Sequence, residues 1–149
     1  MPITSPDTPS LVRPEANEAI DALEAALVDI FPSIQCPLNH SFVKGMYIRE
    51  VVMPAGCRVT SKIHKERHPY FVMKGKAKVW IDGKGWELIE APFFGITEPG
   101  TRRVLHILET CHWVTIHHNP DDGEDLEVIE DRLIEHHDNP FLTPSIAKI

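Results

Sequence analysis

The sequence predicts an all-β domain flanked by two helices, one towards each end of the chain. Between residues 43 and 119, short runs rich in Val, Ile, Tyr, Phe and Thr alternate with turn sequences, which is the pattern of an antiparallel sandwich or barrel. A length of 149 residues suits one domain with a single core. Hydrophobic residues make up 42% of the chain and charged residues 25%, as in an ordinary soluble globular protein.

The first helix is predicted at residues 14–31, where apolar side chains recur at helical spacing. Ile20, Leu23, Leu27 and Phe31 share one face of this helix. We expect that face to pack on the outside of the barrel.

The chain divides into three consecutive parts of one domain. Residues 1–42 form an N-terminal arm, a helix and a loop, residues 43–119 form the barrel, and residues 120–149 form a C-terminal helix and a docking tail. The C-terminal helix is predicted at about 124–136. The tail at 138–149 carries apolar residues, which we expect to dock on the barrel or on a neighbouring subunit.

Charge and cysteine content narrow the function classes. A net charge of −7 argues against nucleic-acid binding, which needs a basic surface. No apolar run is long enough to cross a bilayer, and the N-terminus lacks the core of a signal peptide. The three cysteines, Cys36, Cys57 and Cys111, form no metal-binding spacing and are interpreted as buried small side chains. A reduced cytoplasm is the simplest setting.

Two histidines lie four residues apart in a predicted strand that leads to a glycine turn. His64 and His68 project to the same side if the strand is regular, because side chains alternate with a period of two. Lys62 and Tyr70 share that side. Inward-pointing imidazoles can build a metal site or a polar pocket in the mouth of a small barrel. The alternative is a pair of partly buried histidines bonded to each other or to carboxylates.

A third histidine lies in the last predicted strand of the barrel. His117 ends the run CHWVTIH and shares its face with Trp113. An imidazole metal site needs three or four donors at about 2.0–2.2 Å. We therefore predict that His64, His68 and His117 bind a divalent metal, one of Zn, Fe, Mn or Ni. His106, in the preceding strand, is a reserve ligand.

The stretch from Gly56 to Gly75 resembles the first motif of the cupin family, which reads Gly, five residues, His-x-His, three or four residues, Glu, six residues, Gly. With Gly75 as the anchor, His68 takes the position of the glutamate and His64 that of the second histidine. Lys62 takes the position of the first histidine. The resemblance implies a cupin-like jelly-roll β-barrel with a changed ligand set.

The second cupin motif reads Gly, five residues, Pro-x-Gly, two residues, His, three residues, Asn, and the chain follows its outline loosely from Gly95. Pro99 and Gly100 make the turn, and Arg103 takes the place of the histidine. Arginine does not bind a divalent cation; it binds carboxylate or phosphate through its planar fork. The alternative role of Arg103 is a salt bridge to Glu98.

Four side chains are therefore candidates for binding a small anionic ligand beside the metal: Lys62, Arg103, Tyr70 and Trp113. Both basic residues stand at ligand positions of the cupin frame. We expect them to point into the cavity and to give it a positive potential.

The whole layout resembles a group of small cupin-like proteins met mainly in bacteriophage genomes and prophages, and the resemblance covers roughly residues 44 to 134. The motifs that carry it are KIHKERH at 62–68, GKAKVW at 75–80, EAP at 90–92, PGTRR at 99–103, WVTIH at 113–117 and the acidic stretch and helix at 121–133. This resemblance implies a barrel whose pocket contains His64, His68, Arg103 and His117. It implies no particular activity.

Three functions follow as alternatives. The first is a small-pocket cupin that binds a divalent metal and a small anionic ligand, as an isomerase of sugars or small acids or as an oxygenase. The second is a non-catalytic structural jelly roll, such as a virion-associated or decoration protein. The third is a binding protein that sequesters a small molecule. The expected partners are a second copy in a homodimer or a larger virion assembly, with no nucleic acid and no membrane.

Overall fold

The computed structural model describes residues 14–31, 34 and 36–142, which form an antiparallel β-structure with two helices. The elements are α1 (Pro14–Ile30), β1 (Leu38–Val43), β2 (Met46–Met53), β3 (Arg58–Thr60), β4 (His68–Ile81), β5 (Gly85–Glu90), β6 (Phe93–Thr97), β7 (Arg103–His118) and α2 (Leu126–Leu133). The predicted all-β fold with one helix before the barrel and one after it is confirmed. No helix in the described part of the chain is long and apolar enough to cross a membrane.

Two long strands organise the sheet. The hydrogen-bonded order is β1-β2-β7-β4-β5, with β3 beside β7 and β6 beside β4, and every pairing is antiparallel. The register between β4 and β7 shifts over Val72–Ala77. On one side of this irregularity the long strands pair with β6 and β2, and on the other side with β5 and β3. The sheet therefore folds over on itself, and its two halves enclose one core.

The inner face of the sheet changes from apolar to polar along its strands. The apolar part is a buried cluster made of Val51, Met53, Cys57, Tyr70, Val72, Ala77, Val79, Ile89, Leu105, Ile107, Cys111 and Trp113. Beyond Trp113 on β7, the inward positions are Thr115 and His117, and before Tyr70 on β4 the inward position is His68. The polar end of the barrel interior therefore lies next to this apolar cluster. Cys57 and Cys111 are buried in the cluster as predicted, while Cys36 packs against it.

Gly75 lies where β4 passes closest to β7. Its φ is +96°, and a Cβ placed on it would lie 2.3 Å from the carbonyl oxygen of Thr110. A side chain is excluded at that distance, and the backbone conformation itself favours glycine. The glycine that anchors the first cupin-like motif is thus required by the close contact between the two long strands.

Helix α1 contacts the barrel through a face that matches the predicted one only in part. Ile20 is buried and Leu27 is partly buried as expected, and the Phe31 ring lies 5.0 Å from the guanidinium of Arg58 on β3, but Leu23 is 39% exposed. Asp21, which is polar, is buried beside Ile20. The prediction missed Asp21 because it considered only apolar side chains.

A buried ion pair fixes the position of α1. Arg102 donates from Nη1 to Asp21 Oδ1 at 2.7 Å, and both side chains are only 4% exposed. The same nitrogen donates to Asn17 Oδ1 at 2.7 Å. His137, beyond α2, contacts Asp21 Oδ2 through Nε2 at 2.9 Å. One carboxylate therefore joins the first helix, the barrel and the C-terminal segment.

Two predicted boundaries are corrected. The barrel begins at Leu38, inside the segment predicted as a loop, because residues 38–43 pair with β2. Helix α2 is shorter than the predicted 124–136: Asp125 caps its N-terminus, and the chain beyond Leu133 leaves the helix to pair with another segment. The arm at 1–13 and most of the predicted docking tail, residues 143–149, lie outside the described residues.

Candidate metal centre

Three histidines from separate parts of the chain meet at the polar end of the barrel interior. His68 is the first residue of β4, His117 lies near the end of β7, and His64 lies between β3 and β4. One ligand-capable nitrogen from each lies within 4.8 Å of the others. The ring centroids are 4.4 Å apart for His68 and His117 and 4.5 Å apart for His64 and His68. The structure therefore brings together the three histidines that were singled out in the sequence.

His64 reaches the cluster without belonging to a strand. It forms an isolated β-bridge with Ile134, just beyond α2. Lys65 N donates to Leu133 O at 2.8 Å, and Gly100 N donates to His64 O at 2.9 Å. The segment is therefore held between the end of α2 and the turn before β7. The same-side placement with His68 was predicted from strand alternation, but these tertiary contacts produce it.

The interior keeps the three imidazoles uncharged. His68 and His117 are 4% and 3% exposed, and His64 is partly buried. Burial, followed by the proximity of His68 and His117, lowers the pKa of His64 to about 2. Burial and then His68 lower the pKa of His117 to about 3, and burial also lowers the pKa of His68. A neutral imidazole is the form that binds a metal ion.

Hydrogen bonds orient two of the rings. His68 Nδ1 lies 3.1 Å from the carbonyl oxygen of Glu66, so this nitrogen donates and Nε2 carries the lone pair. His117 Nε2 lies 2.8 Å from Thr115 Oγ1. When Nε2–H donates to that hydroxyl, Nδ1 of His117 carries the free lone pair.

The residues fit a divalent cation. Two nitrogens bound to one tetrahedral zinc ion at about 2.1 Å lie about 3.4 Å apart. The observed nitrogens lie within 4.8 Å of one another, so the rings have to move closer together to share an ion. The donor set is three neutral imidazoles with no carboxylate among the described residues of the cluster. Imidazole ligands suit Zn, Cu, Fe and Ni better than Mg or Ca.

Arg103 projects into the same interior from the first residue of β7. Its side chain is buried, at 8% exposure, and its guanidinium lies 4.9 Å above the centre of the Tyr70 ring. Nη1 donates to Thr97 Oγ1 at 3.0 Å, while the buried Nε has no hydrogen-bond partner within the described ranges. Its charge contributes to the lowered pKa values of His64 and His68.

No carboxylate of the described residues forms an ion pair with Arg103. Glu98, its expected alternative partner, accepts instead from Arg67 Nε at 2.9 Å on the surface. Arg103 is therefore a buried cation with neutral partners. Burying a charge without a counter-charge is costly, which makes this side chain the main electrostatic feature of the interior.

Tyr70 and Trp113 form one wall of the interior. Their rings are stacked, with centroids 5.0 Å apart and an interplanar angle of 8°. Both are buried, and Tyr70 packs so closely on Gly95 that a Cβ there would lie 2.6 Å from the phenolic oxygen. Burial raises the pKa of Tyr70, and the adjacent Arg103 opposes this effect. Of the two predicted aromatic residues, Tyr70 therefore contacts Arg103, and Trp113 stacks on Tyr70.

Two predicted site residues lie elsewhere. Lys62 is exposed and forms an ion pair with Glu130 of α2, so the prediction that it points into the cavity was wrong. The residues around it do not form a strand, and strand alternation does not govern its direction. His106 pairs with Lys78 and lines a surface cleft with Trp86, away from the three histidines. It is not a ligand in this arrangement.

Three further interior residues were missed. Tyr47 is buried on β2 and stacks on His117 with centroids 5.8 Å apart. His40, assigned to a loop from the sequence, lies on β1 with Nδ1 2.6 Å from the Tyr47 hydroxyl. Arg49 follows Tyr47 by two residues and so shares its face of β2. The alternation Tyr47-x-Arg49-x-Val51 is a signal that could have placed this arginine inside.

Helix α2 packs beside this end of the barrel. Ile129 and Leu133 form a buried cluster with Tyr47.

Two surface clefts, of about 530 and 450 Å³, lie elsewhere and are not lined by the three histidines. The second cleft lies where α1, β3 and the segment after α2 meet.

No family model matches the sequence, and no curated protein matches it. Solved structures do match. The chain superposes on oxalate decarboxylase from Lactobacillus farciminis, solved as a formate complex, with a TM-score of 0.52 and 16% identity over 70% of this chain and 32% of that one. The fold is a cupin jelly roll.

Two other cupins superpose less closely. An RmlC-like cupin family protein from Methanocaldococcus jannaschii has a TM-score of 0.49 and 7% identity, over 58% of this chain and 82% of that one. A cupin protein from Bacteroides fragilis has a TM-score of 0.47 and 18% identity, over 64% and 86%. At 16% identity the superposition on the oxalate decarboxylase shows the fold alone, and the activity has to be argued from the residues of the barrel interior.

Proposed function

We propose that the protein binds a divalent metal through His64, His68 and His117 and uses this centre to bind a small anionic ligand. The observation that carries the proposal is the meeting of three neutral imidazoles, whose nitrogens lie within 4.8 Å of one another, beside a buried arginine that has no carboxylate partner among the residues that the structure describes. The imidazoles are neutral metal ligands, whereas Arg103 supplies a positive charge and does not bind the metal. The two together favour a carboxylate bound at or beside a metal.

Arg103 is suited to hold the anionic group. Its Nε is free to donate, and its planar fork can form paired hydrogen bonds with a carboxylate. Stacking on Tyr70 fixes the plane of the guanidinium before any ligand arrives. A charge that is preorganised and poorly solvated binds an anion more strongly than a mobile surface lysine does.

A divalent cation at this centre would polarise an oxygen of the ligand. Arg103 would orient the ligand, and the wall of Tyr70 and Trp113 would exclude water on one side. The raised pKa of Tyr70 keeps its phenol protonated, so it can donate a hydrogen bond. The reactions that suit these residues are isomerisation or metal-assisted oxidation of a small acid.

Metal binding is tested by titrating chelator-treated protein with Zn²⁺, Mn²⁺, Ni²⁺ and Fe²⁺ under reducing conditions, with elemental analysis of the product. We expect one equivalent to bind and to raise the melting temperature. His117→Gln should abolish the effect, whereas His112→Gln, on the opposite side of the same strand, should leave it intact. Equal behaviour of the two variants would overturn the proposal.

The alternative functions give different results in the same experiments. A structural jelly roll would bind neither metal nor small acid and would be found in purified particles. A sequestering protein would bind the acid in the presence of the metal and return it unchanged. The homodimer also stays a prediction, which sedimentation of the full chain would test.

A further inference from the structure

A second arginine, Arg49, lies on β2 next to the histidine cluster, whereas Arg103 contacts residues of β4 and β6. Its register partner across the sheet is Thr115, whose hydroxyl contacts His117. Its neighbours on the same face of β2 are Tyr47, which stacks on His117, and Val51, which belongs to the core. The side chain of Arg49 therefore leaves β2 on the inner side, next to His117.

Arg103 occupies the corresponding place next to His68. Its Nη1 donates to Thr97, and Thr97 is the register partner of His68 between β6 and β4. Arg49 and Arg103 therefore stand beside different histidines of the cluster, His117 and His68.

Neither cation is neutralised within the described part of the chain. No carboxylate there lies within ion-pair distance of Arg49 or Arg103, although the chain carries 22 acidic residues and a net charge of −7. Other arginines near acidic side chains do form such pairs, as Arg67 and Arg102 show. A positive interior in an acidic protein indicates a site whose counter-charge comes with its ligand.

We propose that the ligand carries two separated acidic groups, one held by Arg103 and the other by Arg49, with the intervening atoms beside the histidines. This inference rests on the proposed function and specifies its ligand class. Because Arg49 leaves the sheet beside His117 and Arg103 lies beside His68, the acidic groups are joined by a short carbon chain and are not bonded directly to each other. A dicarboxylate and a phosphorylated carboxylate share this chemistry.

The test compares matched acids on the zinc-loaded protein by calorimetry. Succinate and glutarate should each bind at least tenfold more tightly than butyrate, and oxalate should bind less tightly than either. 2-Phosphoglycolate against glycolate distinguishes a phosphate from a carboxylate as the second group. If no diacid or phosphorylated acid binds better than its singly charged counterpart, the inference is overturned.

Variants assign the second group to Arg49. Arg49→Gln should bind succinate no more tightly than butyrate, although it should still bind zinc, because Arg49 is not a metal ligand. Arg49→Lys should recover part of the preference, and Arg67→Gln, a surface control, should keep all of it. A preference that survives in Arg49→Gln would overturn the role of this residue. If the proposed metal site itself is wrong, zinc does not bind even when no acid is present. This result is distinct from the loss of the preference for diacids, so the two failures can be told apart.

Discussion

Arg102 and Arg103 are consecutive residues whose side chains leave the barrel wall in opposite directions. Arg102 points outwards and forms a buried ion pair with Asp21 of α1, while Arg103 points inwards to Thr97 and Tyr70. Both are almost fully buried, yet Arg102 has a carboxylate partner and Arg103 has none in the described part of the chain. Arg102 is therefore a structural residue, whereas Arg103 is available to a ligand. Replacing each of them by Met should change the free energy of unfolding in different ways.

Arg103→Met should leave the free energy of unfolding of the ligand-free protein unchanged or raise it by about 1–4 kcal/mol. Replacing a buried charged group by an apolar one of similar volume removes a desolvation cost. The same variant should lose binding of small acids. Urea unfolding and calorimetry measure the two effects, and a large destabilisation would assign Arg103 to the structure.

Arg102→Met should instead lower the free energy of unfolding by about 3–5 kcal/mol. The substitution leaves the carboxylate of Asp21 buried without its main cation, and an uncompensated buried charge is strongly destabilising. Asp21→Asn combined with Arg102→Met should recover part of the loss. If the single variant unfolds like wild type, α1 is not held by this ion pair.

The metal-free protein should lose stability as the pH falls from about 6.5 towards 3. Histidines of the unfolded chain take up protons near pH 6.5, whereas the pKa in the folded state is about 2 for His64 and about 3 for His117. The unfolded state therefore binds more protons in this window. The free energy of unfolding should fall by about 1.4 kcal/mol per pH unit for each such histidine.

The slope of this pH dependence can be assigned with variants. His64→Gln with His117→Gln should flatten it, and His118→Gln, at an exposed position of the same strand, should not. An unchanged slope in the double variant would mean that the folded cluster accepts protons and is not held neutral.

Gly95→Ala should destabilise the protein by about 1–3 kcal/mol, as overpacking of a close contact does. The added methyl group would collide with the Tyr70 hydroxyl. The Tyr70 ring cannot easily move away, because it is stacked on Trp113. The displaced Tyr70 would also disturb Arg103, so acid binding should weaken. Gly123→Ala, where nothing lies within 4 Å, is the control, and equal stability of the two variants would contradict the predicted steric clash.

The sequence predicted the parts of the fold that depend on local pattern. Short β-rich runs and turn residues gave the barrel, and glycine and proline spacing placed His64, His68 and Arg103 in one frame. Lys62 was misplaced because alternation was extended into a segment that is not a strand. Its partner Glu130 lies 68 residues away, and such a contact has no local signature.

Polar contacts between distant elements account for the other errors. Asp21 interrupts the apolar face of α1, and from the sequence it is expected on the surface. It is buried because Arg102 of the barrel forms an ion pair with it. Arg49 was overlooked because a single arginine in a strand is usually solvent-exposed. Its position on the same face as Tyr47 and Val51 becomes informative only once that face is known to line the interior.

The β-bridge between His64 and Ile134 has a thermodynamic consequence. Any ligand that restrains the His64 segment also restrains the end of α2, because their backbones are hydrogen-bonded to each other. By reciprocity, whatever loosens α2 must weaken binding at His64 by the same free energy. Helix α2 supplies no ligand to the three-histidine centre. Amide hydrogen exchange along residues 126–135 nevertheless reports whether that centre is occupied.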